Sequence, residues 1–151
     1  MTGVLRTRIS WDETKNGATR FRLRRTGYDA LMDRTFLLVG ALAGLIGVAF
    51  GAFGAHALRS RLSPDMLAVF ETGVRYQLIH GLAVLIVAGA MARGGGWLLS
   101  LAGWCFTGGI VLFSGSLYAL ALSGVTTLGM VTPLGGVLFL AGWACLIVAA
   151  L

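Results

Sequence analysis

The run TFLLVGALAGLIGVAFGAFGAHAL, from Thr35 to Leu58, restricts the fold more than any other stretch of the chain. Its twenty-one residues Thr35–Ala55 carry no charged side chain. At about 1.5 Å of rise per residue, a helix of that length crosses the roughly 30 Å hydrocarbon layer of a bilayer. The run reads as a transmembrane helix. Gly40, Gly44, Gly47, Gly51 and Gly54 fall within a narrow arc of it, at about 100° per residue. Together they predict a notch in which a second helix lies.

Composition agrees with a membrane domain. Of 151 residues, 57% are hydrophobic, only 12% are charged and 23 are glycine, which departs from soluble globular usage toward an integral membrane protein. Cys105 and Cys145 lie inside apolar runs, where a free thiol behaves as a small hydrophobe; their spacing suggests neither a disulfide framework nor a metal site. The net charge of +6 does not point to nucleic acid, because it is not spread along the chain. Residues 1–31 hold Arg6, Arg8, Lys15, Arg20, Arg22, Arg24 and Arg25 against three acids, and so supply +4 of it. A short basic tail ahead of a span orients that span or touches anionic lipid.

That tail, residues 1–31, shows neither helical nor strand periodicity and offers little apolar surface, so disorder is expected. A transit peptide is disfavoured by Asp12, Glu13 and Asp29. Met32-Asp33-Arg34 followed at once by the apolar run looks like a natural start, and the upstream residues read as an over-extended one. The intact mass of protein made from its own promoter tests this, and a mass matching a start at Met1 counts against it.

Residues 32–151 are expected to form a single all-α domain, a four-helix transmembrane bundle with spans at about 35–58, 76–92, 97–122 and 134–151. Ser63-Pro64-Asp65 predicts the start of the second helix: Ser63 caps it, Pro64 suits its first turn and Asp65 complements the positive end of its dipole. The first turns, MLAVFETGVRYQ, are amphipathic and read as an interfacial segment. Helix three ends at Ser123-Gly124, and an uncharged loop leads to Pro133. Small residues recur every seven positions, as in Gly108 and Gly115 or Gly135 and Gly142. This repeat favours left-handed crossings in which backbones approach closely. No inverted repeat and no helix broken in mid-membrane is evident, which weighs against a secondary transporter. With the tail present, eight basic residues and Arg93 stand against Arg59, Arg61 and Arg75, so both termini are expected in the cytoplasm. Without the tail the count is two against three.

The polar residues that bear on chemistry are His56, Glu71, Arg75, Tyr76, Gln77 and His80, with Ser114, Ser116 and Tyr118 in the third helix. An ionisable group at membrane depth is a functional hypothesis by default. His56 and His80 are expected at one rim, where two imidazoles suit a haem, a metal or a quinone headgroup; no CxxCH motif accompanies them. Tyr76, Gln77 and His80 are expected to share a face. Plainer structural roles are favoured for each: His56 satisfying helix-end carbonyls, His80 bonding another helix, Glu71 and Arg75 as an i,i+4 ion pair, and the serines bonding their own helix or a neighbour. No catalytic, cofactor-binding or metal-binding set is assigned. There is no phosphate loop, GxSxG elbow or HExxH, and Glu71 is the only acid after Asp65.

Four segments together, GAFGAHAL (51–58), FETGVRYQLIHGLAVL (70–85), GGIVLFSGSLYALALSG (108–124) and TPLGGVLFLAGW (132–143), resemble the small bacterial inner-membrane family known as domain of unknown function 423, the YgdD-like proteins, with an animal relative called transmembrane protein 256. The likeness spans about residues 32–151 and leaves out 1–31. It implies four transmembrane helices in a plasma or organellar inner membrane and no agreed biochemical activity. The family's shared segments fall here on Gly51, Gly54, His56, Glu71, Arg75, Tyr76, Gln77 and His80. Further along they fall on Ser114, Gly115, Ser116, Tyr118, Pro133, Gly135 and Gly136.

The expectation that follows is a non-enzymatic accessory or scaffold protein of the bacterial inner membrane, with no cofactor. Its partners would be the lipid bilayer and other membrane proteins or a second copy, but not nucleic acid. Trp97, Trp104 and Trp143 read as outward contacts with lipid or protein. An oligomeric small-solute carrier or channel lined by Glu71, Arg75 and His80 is the alternative. A haem or quinone binder at the His56/His80 rim ranks below both.

Overall fold

The computed structural model of the chain describes residues 9–13, 19–23 and 27–151. Arg6, Arg8, Lys15, Arg24 and Arg25, and the disorder expected around them, lie outside the described residues. Inside the tail the expectation of disorder is corrected. Strand β1 (Ile9–Glu13) pairs antiparallel with β2 (Thr19–Leu23), Ile9 opposite Leu23 and Trp11 opposite Phe21. The signal was present in ISWDE and TRFRL, each of which alternates apolar and polar residues over its first or last four positions, as a strand does.

Helix α1 spans Gly27–Phe53, eight residues ahead of Thr35, and runs on as a wider π-helical turn over Gly54–Leu58. Helix α2 spans Pro64–Gly94, and Ser63 caps it as expected, its hydroxyl accepting from the Met66 N–H at 3.3 Å. The third crossing is composite: α3 (Trp97–Gly109), a π-helical turn (Ile110–Ser114) and α4 (Gly115–Ser123). Gly124 ends it in the left-handed region, φ 72°, with its N–H donating to the Leu120 carbonyl, a conformation that glycine adopts without a Cβ penalty. The uncharged loop holds a 3-10 turn, Thr126–Met130, before α5 (Thr132–Ala150). Among the described residues four helices are long and apolar enough to cross a membrane: Ala30–Leu58, Pro64–Gly94, Trp97–Ser123 and Thr126–Ala150.

Helix α2 is the hub. Half of its apolar window is buried, against 22% for the first crossing and 17% for the last. One core cluster gathers Phe36 of α1, Val84, Val87 and Met91 of α2, Phe106 of α3 and Phe139 of α5. A second, nearer the other membrane face, joins Leu58, Phe70, Val74, Tyr118 and Ala121. Phenylalanine and methionine fill the middle of the bundle.

Glycine does much of the joining, though not at every expected position. A Cβ at Gly40 would meet Leu85 at 2.7 Å, at Gly47 Leu78 at 2.6 Å, at Gly51 Val74 at 3.4 Å and at Gly54 Phe70 at 3.2 Å. Gly108 faces Leu138 at 3.2 Å, Gly142 faces Phe106 at 2.6 Å, and Gly135 lies against the backbone of Phe113. Gly44 and Gly115 are corrections, since a Cβ at either would meet nothing within 4 Å. Gly44 sits at the edge of the arc. Gly115 follows the π turn, which adds roughly one residue to an α-helical turn and so rotates all that comes after it by about 100°. The seven-residue spacing from Gly108 therefore no longer marks one face. Gly81, which with Ala88 belongs to the repeat, packs on Ala43, and close contacts that the repeat did not indicate occur at Gly73 against Tyr118 and Gly103 against Phe36.

Candidate functional site

Two polar groups leave the middle of α2 in different directions. Gln77 is buried and faces α1 and α4: its Nε2 donates to the Ala43 carbonyl at 2.9 Å, and its Oε1 accepts from the Tyr118 hydroxyl at 2.9 Å. Glycine is the reason this reach succeeds. Gly40 and Gly47 let α2 approach α1 closely enough for a side-chain amide to find a main-chain oxygen. The Tyr118 ring is held edge-on to Phe50 at 4.9 Å and tilted on Phe70 at 4.9 Å. In hydrocarbon an unpaired amide or phenol is costly, and here each finds a partner in the other.

His80 is 5% exposed and faces α5. Its Nδ1 lies 2.8 Å from the Tyr76 carbonyl, and its Nε2 lies 3.3 Å from the Trp143 Nε1. An indole N–H only donates, so Nε2 holds its lone pair toward Trp143 and Nδ1 carries the proton toward the carbonyl. The imidazole also stacks on Phe139, with centroids 3.5 Å apart and planes 7° apart. Both nitrogens thus have a polar partner, the one to Trp143 being the longer.

The rim expected from His56 and His80 does not form. His56 is exposed in the π turn that ends the first crossing, level with the start of α2, because its neighbour Gly54 packs on Phe70. His80 lies ten residues further along α2 than Phe70, about 15 Å deeper. Tyr76, Gln77 and His80 do not share one face either. Positions three apart on a helix diverge by about 60°, so Gln77 turns to α1 while Tyr76 and His80 stay together, their rings 5.8 Å apart. Glu71 and Arg75 are exposed and form no ion pair among the described residues.

The serines divide. Ser116 donates to the Phe113 carbonyl at 2.9 Å and shares a 2.8 Å bond with the Thr132 hydroxyl, tying α4 to α5. Ser114 is fully buried, yet its hydroxyl has no partner among the described residues, contrary to the expected bond to its own helix or a neighbour. It ends the π turn, where the carbonyl one α-turn back is no longer in the usual position. Cys105 and Cys145 are free and half-buried. Among the described residues no group of three or more His, Cys, Asp or Glu is placed to hold a metal ion.

Beside His80 the helices part. Tyr76 and His80 of α2, Phe113 of the π turn, and Gly136, Leu140 and Trp143 of α5 line a groove of about 460 Å³. Trp143 was expected as a purely outward contact; it stands half in this groove and half outside, 40% exposed, with its N–H turned in. The sequence separation of 63 between it and His80 hides the pair from any local pattern.

Comparison with known proteins fits this architecture. The family model described as "Protein of unknown function (DUF423)" matches residues 50–136, the stretch that contributes Gln77, His80, Tyr118 and most of the groove. The chain belongs to the DUF423 family. This DUF423 protein is 45% identical over 116 residues to the UPF0382 membrane protein SAB0533 of Staphylococcus aureus, covering 77% of this chain and 94% of that one. It is 42% identical over 118 residues to the UPF0382 membrane protein YwdK of Bacillus subtilis, covering 78% and 96% respectively. No solved structure matches it.

Proposed function

We propose that this DUF423 protein is a non-enzymatic accessory subunit of the bacterial inner membrane, with both termini in the cytoplasm, that packs sideways against other membrane proteins or a second copy of itself. The observation that carries the reading is the imbalance of burial. The hub α2 is half covered, whereas the first and last crossings leave about four-fifths of their apolar windows open on the flanks of the bundle. The polar groups Gln77, Tyr118 and His80 are satisfied by one another, by Trp143 and by main chain, which supports a structural role for them. A carrier reading is weaker, since Phe36, Phe106 and Met91 occupy the centre and Glu71 and Arg75 stand outside it.

Isolation of the full chain from native membranes in mild detergent, followed by mass spectrometry, tests the proposal. Recovery with a stoichiometric membrane partner, or as a defined oligomer, is expected; recovery only as a lone monomer overturns it. Cysteine accessibility at Arg59→Cys and Arg93→Cys in intact cells tests the orientation, with labelling from outside expected at position 59 only.

A further inference from the structure

We propose that the groove between α2 and α5 binds the ring of a lipid-soluble quinone. The cavity is about 460 Å³, inside the usual range for sites that hold one small organic ligand. Its position restricts what enters. Arg75 and Arg93 on α2 are about 27 Å apart along the axis, close to the thickness of the hydrocarbon layer, so Tyr76 lies just inside one polar edge and His80 about 6 Å deeper. On the outer side the groove is flanked by Val137 and Leu140, which are 62% and 71% exposed. Entry is therefore from lipid.

The lining narrows the ligand to a flat ring. Tyr76 is within 20° of the plane of His80 and 27° of Phe139, while His80 and Phe139 differ by 7°. His80 and Phe139 are stacked on one another, and Tyr76 is stacked on Phe113 with centroids 4.4 Å apart, so the groove wall is an aromatic stack that a further planar molecule extends. Gly136, which has no side chain, keeps the space in front of Phe113 open: a Cβ there would already touch that ring at 4.0 Å.

The polar atoms supply the rest. The Tyr76 hydroxyl has no hydrogen-bond partner among the described residues. The Trp143 N–H reaches His80 only at 3.3 Å, slightly beyond the usual range. Both groups donate, and no charged side chain lines the groove. A ligand complementary to them is uncharged, planar, and carries acceptors on its ring, which describes the carbonyl pair of a quinone. An acyl chain has no use for either donor, and the carbonyls of a docking helix are already bonded within it. The proposal is of binding alone and does not rest on the accessory reading: binding and co-isolation can each fail without the other.

The test uses the full chain in phosphatidylcholine nanodiscs, titrated with decylubiquinone and read by quenching of tryptophan fluorescence. A saturable component is expected, lost in Trp143→Phe, weakened roughly tenfold in Tyr76→Phe as one hydrogen bond disappears, and abolished in Val137→Phe, which extends an already exposed side chain across the opening. Thermal melting by circular dichroism shows that these variants remain folded. Quenching that rises linearly with added quinone, or that is unchanged in Tyr76→Phe and Val137→Phe, overturns the proposal. So does displacement of the quinone by an equal mole fraction of oleic acid, which would make the groove an acyl-chain slot.

Discussion

Toward α1, helix α2 is met by glycine; toward α5 it is met by rings. On the first side Gly40, Gly47 and Gly51 admit Leu85, Leu78 and Val74, the backbones close up, and Gln77 reaches a main-chain carbonyl directly. On the second side Phe113, Phe139 and Trp143 hold the helices apart, the link is one 3.3 Å bond between two side chains, and space for a ligand remains. The same helix thus forms a seam and a groove about 60° apart. Small residues allow close approach where lipid provides no hydrophobic drive, and large planar ones keep the distance.

The comparison breaks most readily at the glycines. Gly135→Ala drives a Cβ into the backbone of Phe113, which cannot turn aside as a side chain can, so a loss of about 2–3 kcal/mol or more is expected. Gly115→Ala, with open space before it, should be neutral or stabilise by up to about 1 kcal/mol through helix propensity. Thermal melting of the two purified variants in the same detergent decides the matter; equal losses would mean that close approach is not what distinguishes these positions.

The polar links sharpen it. Gln77→Leu strands the Tyr118 hydroxyl and is expected to cost about 1–2 kcal/mol. Tyr118→Phe added to it should cost less than Tyr118→Phe alone, which a double-mutant cycle on melting temperature reads out. His80→Phe retains the stack on Phe139 and loses two polar bonds on the looser side. An effect below about 1 kcal/mol is expected, together with a shift in Trp143 emission once its N–H is freed. Glu71→Gln, at an exposed position without an ion pair, should fall within about 0.5 kcal/mol of the parent.

Local chemistry was legible in the sequence and distant geometry was not. The cap at Ser63-Pro64 and the stop at Gly124 depend on a few adjacent residues, and both could be read directly. The four crossings follow from length and apolar content. The π turn at Ile110–Ser114 depends on how the third crossing packs, so a seven-residue ruler laid across it wrongly placed Gly115 in a helix contact, and the bond expected of Ser114 with its own helix or a neighbour does not form. Gln77 and Tyr118 were identified as polar residues of interest, but their mutual bond spans 41 residues. His80 was identified without Trp143, which its amphipathic character suggested was an outward contact with lipid or protein. In the tail, a charge tally over 31 residues concealed two four-residue alternations within stretches that pair as strands.

The lengths of the crossings carry one more consequence. Helices of 25–31 residues are about 38–46 Å long, near the 40–45 Å of a bilayer measured through its headgroups. On the face where residues 59–63 and 124–131 turn the chain, the molecule therefore stops about where the lipid stops, and a water-borne visitor meets only short loops, one of them carrying the exposed Arg59 and Arg61. Whatever meets the apolar flanks of this protein must travel within the sheet itself, so the frequency of that encounter is governed by lateral drift and leaflet crowding rather than by concentration in the surrounding fluid.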